Sequence, residues 1–164
     1  MRIVLALAIA AVAASPVLAV QSEPSTPDQV VQISGEDREM NAAIAHAQAT
    51  LDEFLAIARK PPKGAKEFRL KVMFTDEYGV EHMWVNAFNQ HGDDFNGTLV
   101  NEPETVRSVK LWETVSFKRA QITDWGYEKD GKEFGSFTVC VMLKHMSAEE
   151  AAQYRDRFPC TESP

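Results

Sequence analysis

The stretch FRLKVMFTDEYGVEHMWVNAF, residues 68–88, decides the fold class of this chain. In its first half, Phe68, Leu70 and Val72 alternate with polar side chains, which is the period of a half-buried strand. Residues 76–79 have the composition of a turn, so residues 80–88 are expected to return as the second strand of a hairpin. The sequence therefore predicts an antiparallel sheet that grows outward from this hairpin.

Helices are predicted before and after the sheet. Ser34 is expected to cap a long N-terminal helix that the prolines at 61–62 end. A capping-box pattern at residues 50–53 predicts a break or kink within it, and a second one at 147–150 begins a short final helix reaching residue 158. The long helix is indicated by apolar residues at helical spacing: Met40, Ile44, Ala47, Leu51 and Ala58.

Four further strands are expected, at residues 95–100, 109–118, 121–127 and 134–143. The last is the most apolar of them, and it would place Phe137, Val139, Val141 and Leu143 on one face. Strands grouped between helices and joined by short hairpins indicate an α+β fold. We predict an antiparallel sheet of about five to six strands, with a long N-terminal helix packed on it and a short C-terminal helix.

The N-terminus has the pattern of a secretory signal peptide over residues 1–19. Met1-Arg2 is positively charged, an apolar run follows, and Ala19 precedes the expected cleavage point. The run is short for a membrane span, which needs about 20 apolar residues; an uncleaved anchor is the alternative. We therefore expect a periplasmic or secreted protein without stable membrane insertion after signal removal. Residues 20–34 read as a flexible spacer and residues 35–160 as a single domain.

The charge of the chain limits its partners. The formal net charge is −7, and the sequence contains no dense basic run. Nucleic acids and anionic membranes both need basic clusters. We therefore expect neither, and leave a protein or an envelope glycan as the possible partner.

The two cysteines, Cys140 and Cys160, are expected to form a disulfide in an oxidising compartment. A strand running on from Cys140, followed by a helix that folds straight back, would return Cys160 to the level of Cys140. The pair would then fasten the C-terminal helix to the sheet. Two free thiols are the alternative. A catalytic cysteine is not indicated, because the chain has no Cys-x-x-Cys motif.

No complete catalytic or metal-binding set is apparent, so no cofactor is expected. His82 and His91 lie near acidic residues in sequence, but without the spacing of metal ligands. Glu81, Glu102, Glu104 and Asp124 could supply paired carboxylates for hydrolysis. Such pairings also arise by chance in an acidic chain.

Aromatic residues beside polar ones are the more informative feature. Amphipathic aromatic rings with amide and carboxylate neighbours suit a binding surface for protein or glycan. The alternative is that the rings close the edges of a small core. The candidate ligand-binding residues are Trp84, Asn101, Glu102, Asp124, Trp125 and Tyr127.

Several blocks of sequence resemble the YegJ-like bacterial domain of unknown function. They include residues 40–45, Glu81-His82-Met83-Trp84-Val85, residues 109–111 and Ile122-Thr123-Asp124-Trp125-Gly126-Tyr127. The resemblance covers about residues 38–146. Trp112 departs from the family, where a glycine follows Val-Lys-Leu. The resemblance implies a fold unit and provides no catalytic residues.

Together these observations favour a non-enzymatic, exported, soluble binding protein of unknown ligand, of inhibitor or immunity type. The inhibitor or immunity role rests on analogy with other small exported bacterial domains. The alternative is an envelope hydrolase acting on cell-wall material through Glu81, Glu102 or Asp124 with His82.

Overall fold

The computed structural model describes residues 37–160, so the signal peptide and spacer expected from the sequence, and the cap expected at Ser34, lie outside the described residues. The helices are α1 (Arg38–Arg59), α2 (Phe137–His145) and α3 (Ala148–Ala152). The strands are β1 (Ala65–Asp76), β2 (Gly79–His91), β3 (Asp94–Leu99), β4 (Thr114–Lys118), β5 (Ile122–Lys129) and β6 (Lys132–Gly135).

The six strands form one antiparallel sheet in the order β4-β3-β2-β1-β5-β6. The predicted hairpin is therefore its centre, and the predicted α+β class is confirmed. Helix α1 covers one face, where Leu51 and Phe54 are buried against the sheet. The opposite face is contacted by the first turn of α2, where the Lys71 Nζ donates to the Thr138 hydroxyl at 3.3 Å.

Helix α1 runs unbroken through Thr50, so the predicted kink is wrong. The Thr50 hydroxyl donates to the carbonyl oxygen of His46 at 2.8 Å, which satisfies it within the helix. Asp37 caps the helix instead, because its Oδ1 accepts the backbone N–H groups of Glu39 and Met40.

The strand predicted at residues 134–143 is also wrong. The segment pairs with β5 only as far as Gly135, and then continues as helix α2. Gly135 and Ser136 both have left-handed backbones, with φ of 74° and 54°, which turn the chain out of the sheet. A side chain at Gly135 would approach the Trp125 carbonyl oxygen to 2.3 Å, so this turn requires glycine.

The two edges of the sheet differ. The backbone N–H of Glu133 in β6 donates to the carbonyl oxygen of Arg157 at 2.8 Å, so residues near the C-terminus cover part of that edge. Strand β4 forms the other edge, and its alternate residues Thr114, Ser116 and Lys118 are exposed. Within residues 37–160, no strand lies beyond β4.

The predicted disulfide between Cys140 and Cys160 is present, with Cα atoms 5.6 Å apart. The route between the two residues is different from the predicted one, since Cys140 lies in α2 rather than in a strand. The bridge joins α2 to the segment of residues 153–160, which we call the C-terminal segment. Across the described residues, no helix combines the length and the apolar character that a bilayer crossing requires.

Candidate binding face

The sheet face opposite α1 is called the open face. Strand register assigns its members, because side chains on paired positions share a face and alternate along each strand. At its centre Lys71 lies opposite Trp84 on one side and Asp124 on the other. The members on β1, β2 and β3 are Arg69, Lys71, Met73, Val80, His82, Trp84, Asn86 and Thr98.

Trp84 lies against two cations of the neighbouring strand. The Arg69 guanidinium carbon is 4.8 Å from the centre of the Trp84 ring, and the Lys71 Nζ is 5.5 Å from it. Cations at this distance are attracted to the electron-rich ring face. The ring is half-buried, so it forms a positioned aromatic platform in the open face.

Arg69 is held by a buried carboxylate. Its Nη2 lies 2.6 Å from Oε2 of Glu133, whose side chain has no solvent exposure. Arg157 of the C-terminal segment binds the other oxygen, Oε1, at 2.8 Å. Glu133 is therefore shared between two guanidinium groups, which is the pairing that a buried charge needs.

Asp124 was a predicted binding residue, but the structure places it inside the protein with 0% exposure. Its carboxylate accepts the backbone N–H groups of Phe137 and Thr138, at 3.2 and 2.9 Å, and the Thr138 hydroxyl at 2.6 Å. Asp124 thus caps α2 from another element, where Ser136 provides no side-chain cap. Burial raises the pKa of this carboxyl, opposed by the bonds from Thr138 and the charge of Lys71.

Trp125 and Tyr127 face α1 and are largely buried, each with 8% exposure. The indole Nε1 of Trp125 donates to the Ala47 carbonyl oxygen at 3.0 Å, and its ring stacks on Phe54. Tyr127 stacks between Phe68 and Phe134. Their positions match the alternative interpretation, in which aromatic rings close the core.

Asn101 and Glu102 begin the long loop between β3 and β4. The Asn101 side-chain oxygen accepts the backbone N–H of Trp84 at 2.6 Å, so these two predicted residues are brought together. Glu102 follows directly and is exposed. Of the six predicted binding residues, Trp84, Asn101 and Glu102 lie at one surface, and Asp124, Trp125 and Tyr127 do not.

The same loop is fixed by two carboxylates, and one of them, Glu81, was considered for catalysis in the sequence analysis. Glu81 accepts the backbone N–H groups of Glu104, Thr105 and Val106 at 2.9–3.2 Å. Asp76 accepts those of Arg107 and Ser108 at 2.6 and 2.9 Å. Both carboxylates are used to order the loop backbone.

Trp112, near the end of this loop, is the most exposed large apolar residue that the structure describes, at 69%. Its backbone is left-handed, with φ of 66°. The turn closes where the Glu113 N–H donates to the Lys110 carbonyl oxygen at 3.0 Å. A left-handed backbone of this kind costs a residue other than glycine about 1 kcal/mol.

Trp112 lies close to the open face. Its N–H donates to the Leu99 carbonyl oxygen, and Val100 donates to the Trp84 carbonyl oxygen. The backbones of Trp84 and Trp112 are therefore two strand spacings apart, a distance of about 10 Å. The loop start at Asn101 lies beside both.

His82 is an exposed member of the open face. Its Nδ1 lies 2.9 Å from the Thr123 hydroxyl, which itself donates to the Lys71 carbonyl oxygen. This network assigns the proton to Nδ1 and leaves Nε2 as an acceptor. Burial and the charge of Lys71 lower the pKa of His82, which favours the neutral ring. Within the described part of the chain, no group of acidic, His or Cys side chains is arranged to hold a metal.

Comparison with known proteins places this architecture in a family. The family model described as "Uncharacterized protein conserved in bacteria (DUF2314)" matches residues 37–159. The chain belongs to the DUF2314 family. This confirms the resemblance to YegJ-like proteins. The matched range spans the sheet, the open face and the C-terminal segment.

Two similar proteins are informative. Uncharacterized protein YegJ of Escherichia coli (strain K12) is 30% identical over 131 residues, covering 80% of this chain and 84% of YegJ. The putative ankyrin repeat protein NMB1133/NMB1171 of Neisseria meningitidis serogroup B is 32% identical over 74 residues. That match covers 45% of this chain and 29% of the relative. No solved structure matches the chain.

Sequence analysis missed Arg69, Lys71, Glu133 and Arg157. The first two had a usable signal, because they alternate with the buried residues of β1 and so had to lie on the opposite face. Glu133 and Arg157 had none, since they meet only through the return of the C-terminal segment.

Proposed function

We propose that this protein is an exported, non-enzymatic binding protein that holds a protein partner on the open face and on the adjoining loop around Trp112. The observation that carries the proposal is Trp112 itself. It combines 69% exposure with a left-handed backbone, at a φ of 66°. Strain retained at an exposed aromatic residue favours a role in recognition.

The neighbouring residues support an interface. Exposed Val80 and His82 lie on the same face of β2 as Trp84. This surface therefore combines apolar and polar side chains around the tryptophan. Trp and Arg are enriched among the residues that dominate binding energy between proteins. The Asn101 contact fixes the loop start beside Trp84. The surface is thus ordered before a partner binds.

A protein partner is favoured over a glycan or a small molecule by shape. Small ligands require concave sites. Two grooves formed by the described residues lie away from this face, one near the end of α1 and one between α2 and the C-terminal segment. The open face is a sheet surface, which suits a broad contact. Lys71 and Arg69 beneath Trp84 favour an acidic group on the partner.

The hydrolase alternative receives no comparable support. Glu81 binds loop backbone and Asp124 caps α2, so neither carboxylate is directed at a shared substrate position. Glu102 is exposed and His82 is bonded to Thr123. Among these four described side chains, none is hydrogen-bonded to another as an acid–base pair.

The test is site-specific photo-crosslinking in the producing cell. A photoreactive phenylalanine analogue replaces Trp112 or Trp84, and a matched control replaces Ala49 on the exposed side of α1. We expect the same cross-linked protein from positions 112 and 84, and none from 49. Purified partner should then bind the wild-type chain and lose affinity for Trp112→Gly. Equal cross-linking from all three positions, or unchanged affinity of the glycine variant, would overturn the proposal.

A further inference from the structure

We propose that the Cys140–Cys160 disulfide controls the arrangement of the open face. It holds Arg157 on Glu133 and thereby keeps Arg69 against the face of the Trp84 ring. This rests on the proposed function, because it describes the regulation of the same surface. The connection runs through three elements that are distant in sequence: the C-terminal segment, β6 and β1.

The C-terminal segment is attached to the sheet by few groups. Apart from the Arg157–Glu133 contacts, the Lys132 Nζ donates to the Asp156 carbonyl oxygen at 2.6 Å. Most side chains of the segment are exposed, and only Tyr154 and Phe158 are half-buried apart from Cys160 itself. A groove of about 440 Å³ lies between the segment and α2. The disulfide is thus a principal restraint on this part of the chain.

Arg157 makes the contact that links the restraint to the sheet. Its Nε and Nη2 donate to Glu133 Oε1 at 3.0 and 2.8 Å. Its own carbonyl oxygen accepts the Glu133 N–H. Only two residues separate Arg157 from Cys160, so release of the bridge frees the arginine directly.

Arg69 is the side chain that we expect to move when Arg157 leaves Glu133. Glu133 is fully buried, and it requires compensation for its charge. With Arg157 in place, Arg69 binds only Oε2 and lies over Trp84. Gly126 leaves room for the Ser136 hydroxyl, which a side chain there would approach to 2.6 Å and which lies 3.4 Å from Arg69 Nη2. When Arg157 leaves, Arg69 is the remaining guanidinium that can bind both oxygens, which moves it away from the tryptophan ring.

The chemical step is thiol–disulfide exchange. A dithiol reductant transfers two electrons and two protons to the bridge, leaving Cys140 and Cys160 as thiols and the reductant as a disulfide. Both cysteines are half-buried, so an attacking thiolate can reach the sulfur atoms. The same reaction in reverse, with a disulfide oxidant, re-forms the Cys140–Cys160 bridge.

The test observes Trp84 without any partner. Indole N–H signals of the three tryptophans are recorded by NMR in the oxidised protein and after reduction with dithiothreitol. We expect the Trp84 signal to move on reduction, and the signal of exposed Trp112 to stay. The oxidised Arg157→Gln variant should reproduce the Trp84 shift and show no further shift on reduction. Arg155→Gln, a neighbouring exposed arginine, is the matched control and should behave as wild type.

Two outcomes would overturn the inference. One is a Trp84 signal that is unchanged by reduction while thiol titration shows that the bridge is open. The other is an Arg157→Gln variant whose Trp84 signal matches that of the wild type. Because no partner is involved, failure here leaves the crosslinking test unaffected. A negative crosslinking result likewise leaves the connection between disulfide and tryptophan intact.

Discussion

Replacing Asp124 with asparagine tests the most unusual structural role in this protein. The carboxylate is completely buried and accepts four donors: the N–H groups of Trp125, Phe137 and Thr138, and the Thr138 hydroxyl. An asparagine of the same size keeps one acceptor oxygen and replaces the other with an amide group that only donates. At least one buried backbone N–H therefore loses its partner, and the start of α2 loses its negative charge.

The expected cost can be worked from these contacts. An unsatisfied buried donor costs about 1–3 kcal/mol. Loss of a favourably placed charge at a helix N-terminus costs up to about 2 kcal/mol more. Asparagine avoids the desolvation of a charge, which offsets part of this. We expect Asp124→Asn to lower the free energy of unfolding by about 3 kcal/mol, a large share of the ~5–15 kcal/mol typical of a domain.

The assay is urea denaturation followed by circular dichroism, with hydrogen exchange to locate the effect in α2. Thr138→Ser keeps the hydroxyl that donates to Asp124 and is the matched control, while Thr138→Val removes it. In a double-mutant cycle, Asp124→Asn and Thr138→Val should be coupled by about 1 kcal/mol or more. A loss below about 1 kcal/mol for Asp124→Asn, with α2 still protected, would refute the capping argument.

Three further predictions follow from individual side chains. Trp112→Gly should raise the free energy of unfolding by about 1 kcal/mol in urea melts by relieving the left-handed backbone; a decrease would contradict the assigned strain. Trp125→Ala should cost about 3–5 kcal/mol as a core truncation, and Trp84→Ala much less; equal losses would place Trp84 in the core as well. The pKa of His82 should be below 6.5 in an NMR titration. Because the unfolded chain then protonates first, the contribution of His82 to stability should be lost as pH falls from 6.5 towards the folded pKa, and His82→Gln should remove that part of the pH dependence.

The central hairpin and the helix before it could be predicted because their signals are local. Strand alternation in residues 68–75 and the apolar stripe of α1 each need only one segment of sequence. The residues of α2 show why other parts could not be predicted. Val139 and Val141 favour a strand in isolation. They become helical because the turn at Gly135 leaves the sheet and because Asp124, from β5, caps the new helix.

The residues of the candidate site also show which features follow from local sequence and which depend on packing. Alternation places Trp125 and Asp124 on opposite faces of β5, but it does not say which face α1 covers. The sequence therefore proposed both as surface residues, and packing buried both. Trp84 and Asn101 were both proposed as surface residues, and the bond that joins them runs from the Trp84 backbone N–H to the Asn101 side chain, which no residue pattern encodes. The disulfide pairing was predictable from composition, whereas its geometry depended on α2.

The unequal edges of the sheet limit how this protein can associate through backbone pairing. Exposed strand edges are templates for pairing with other chains. Among residues 37–160, the C-terminal segment covers part of β6 and no strand pairs with the outer edge of β4, so strand addition is favoured at β4, next to Trp112. Growth from one edge stops once that edge is paired, so it can yield a closed pair but not a fibre. Loss of the residues around Arg157 would open the second edge, and the same sheet could then extend in both directions.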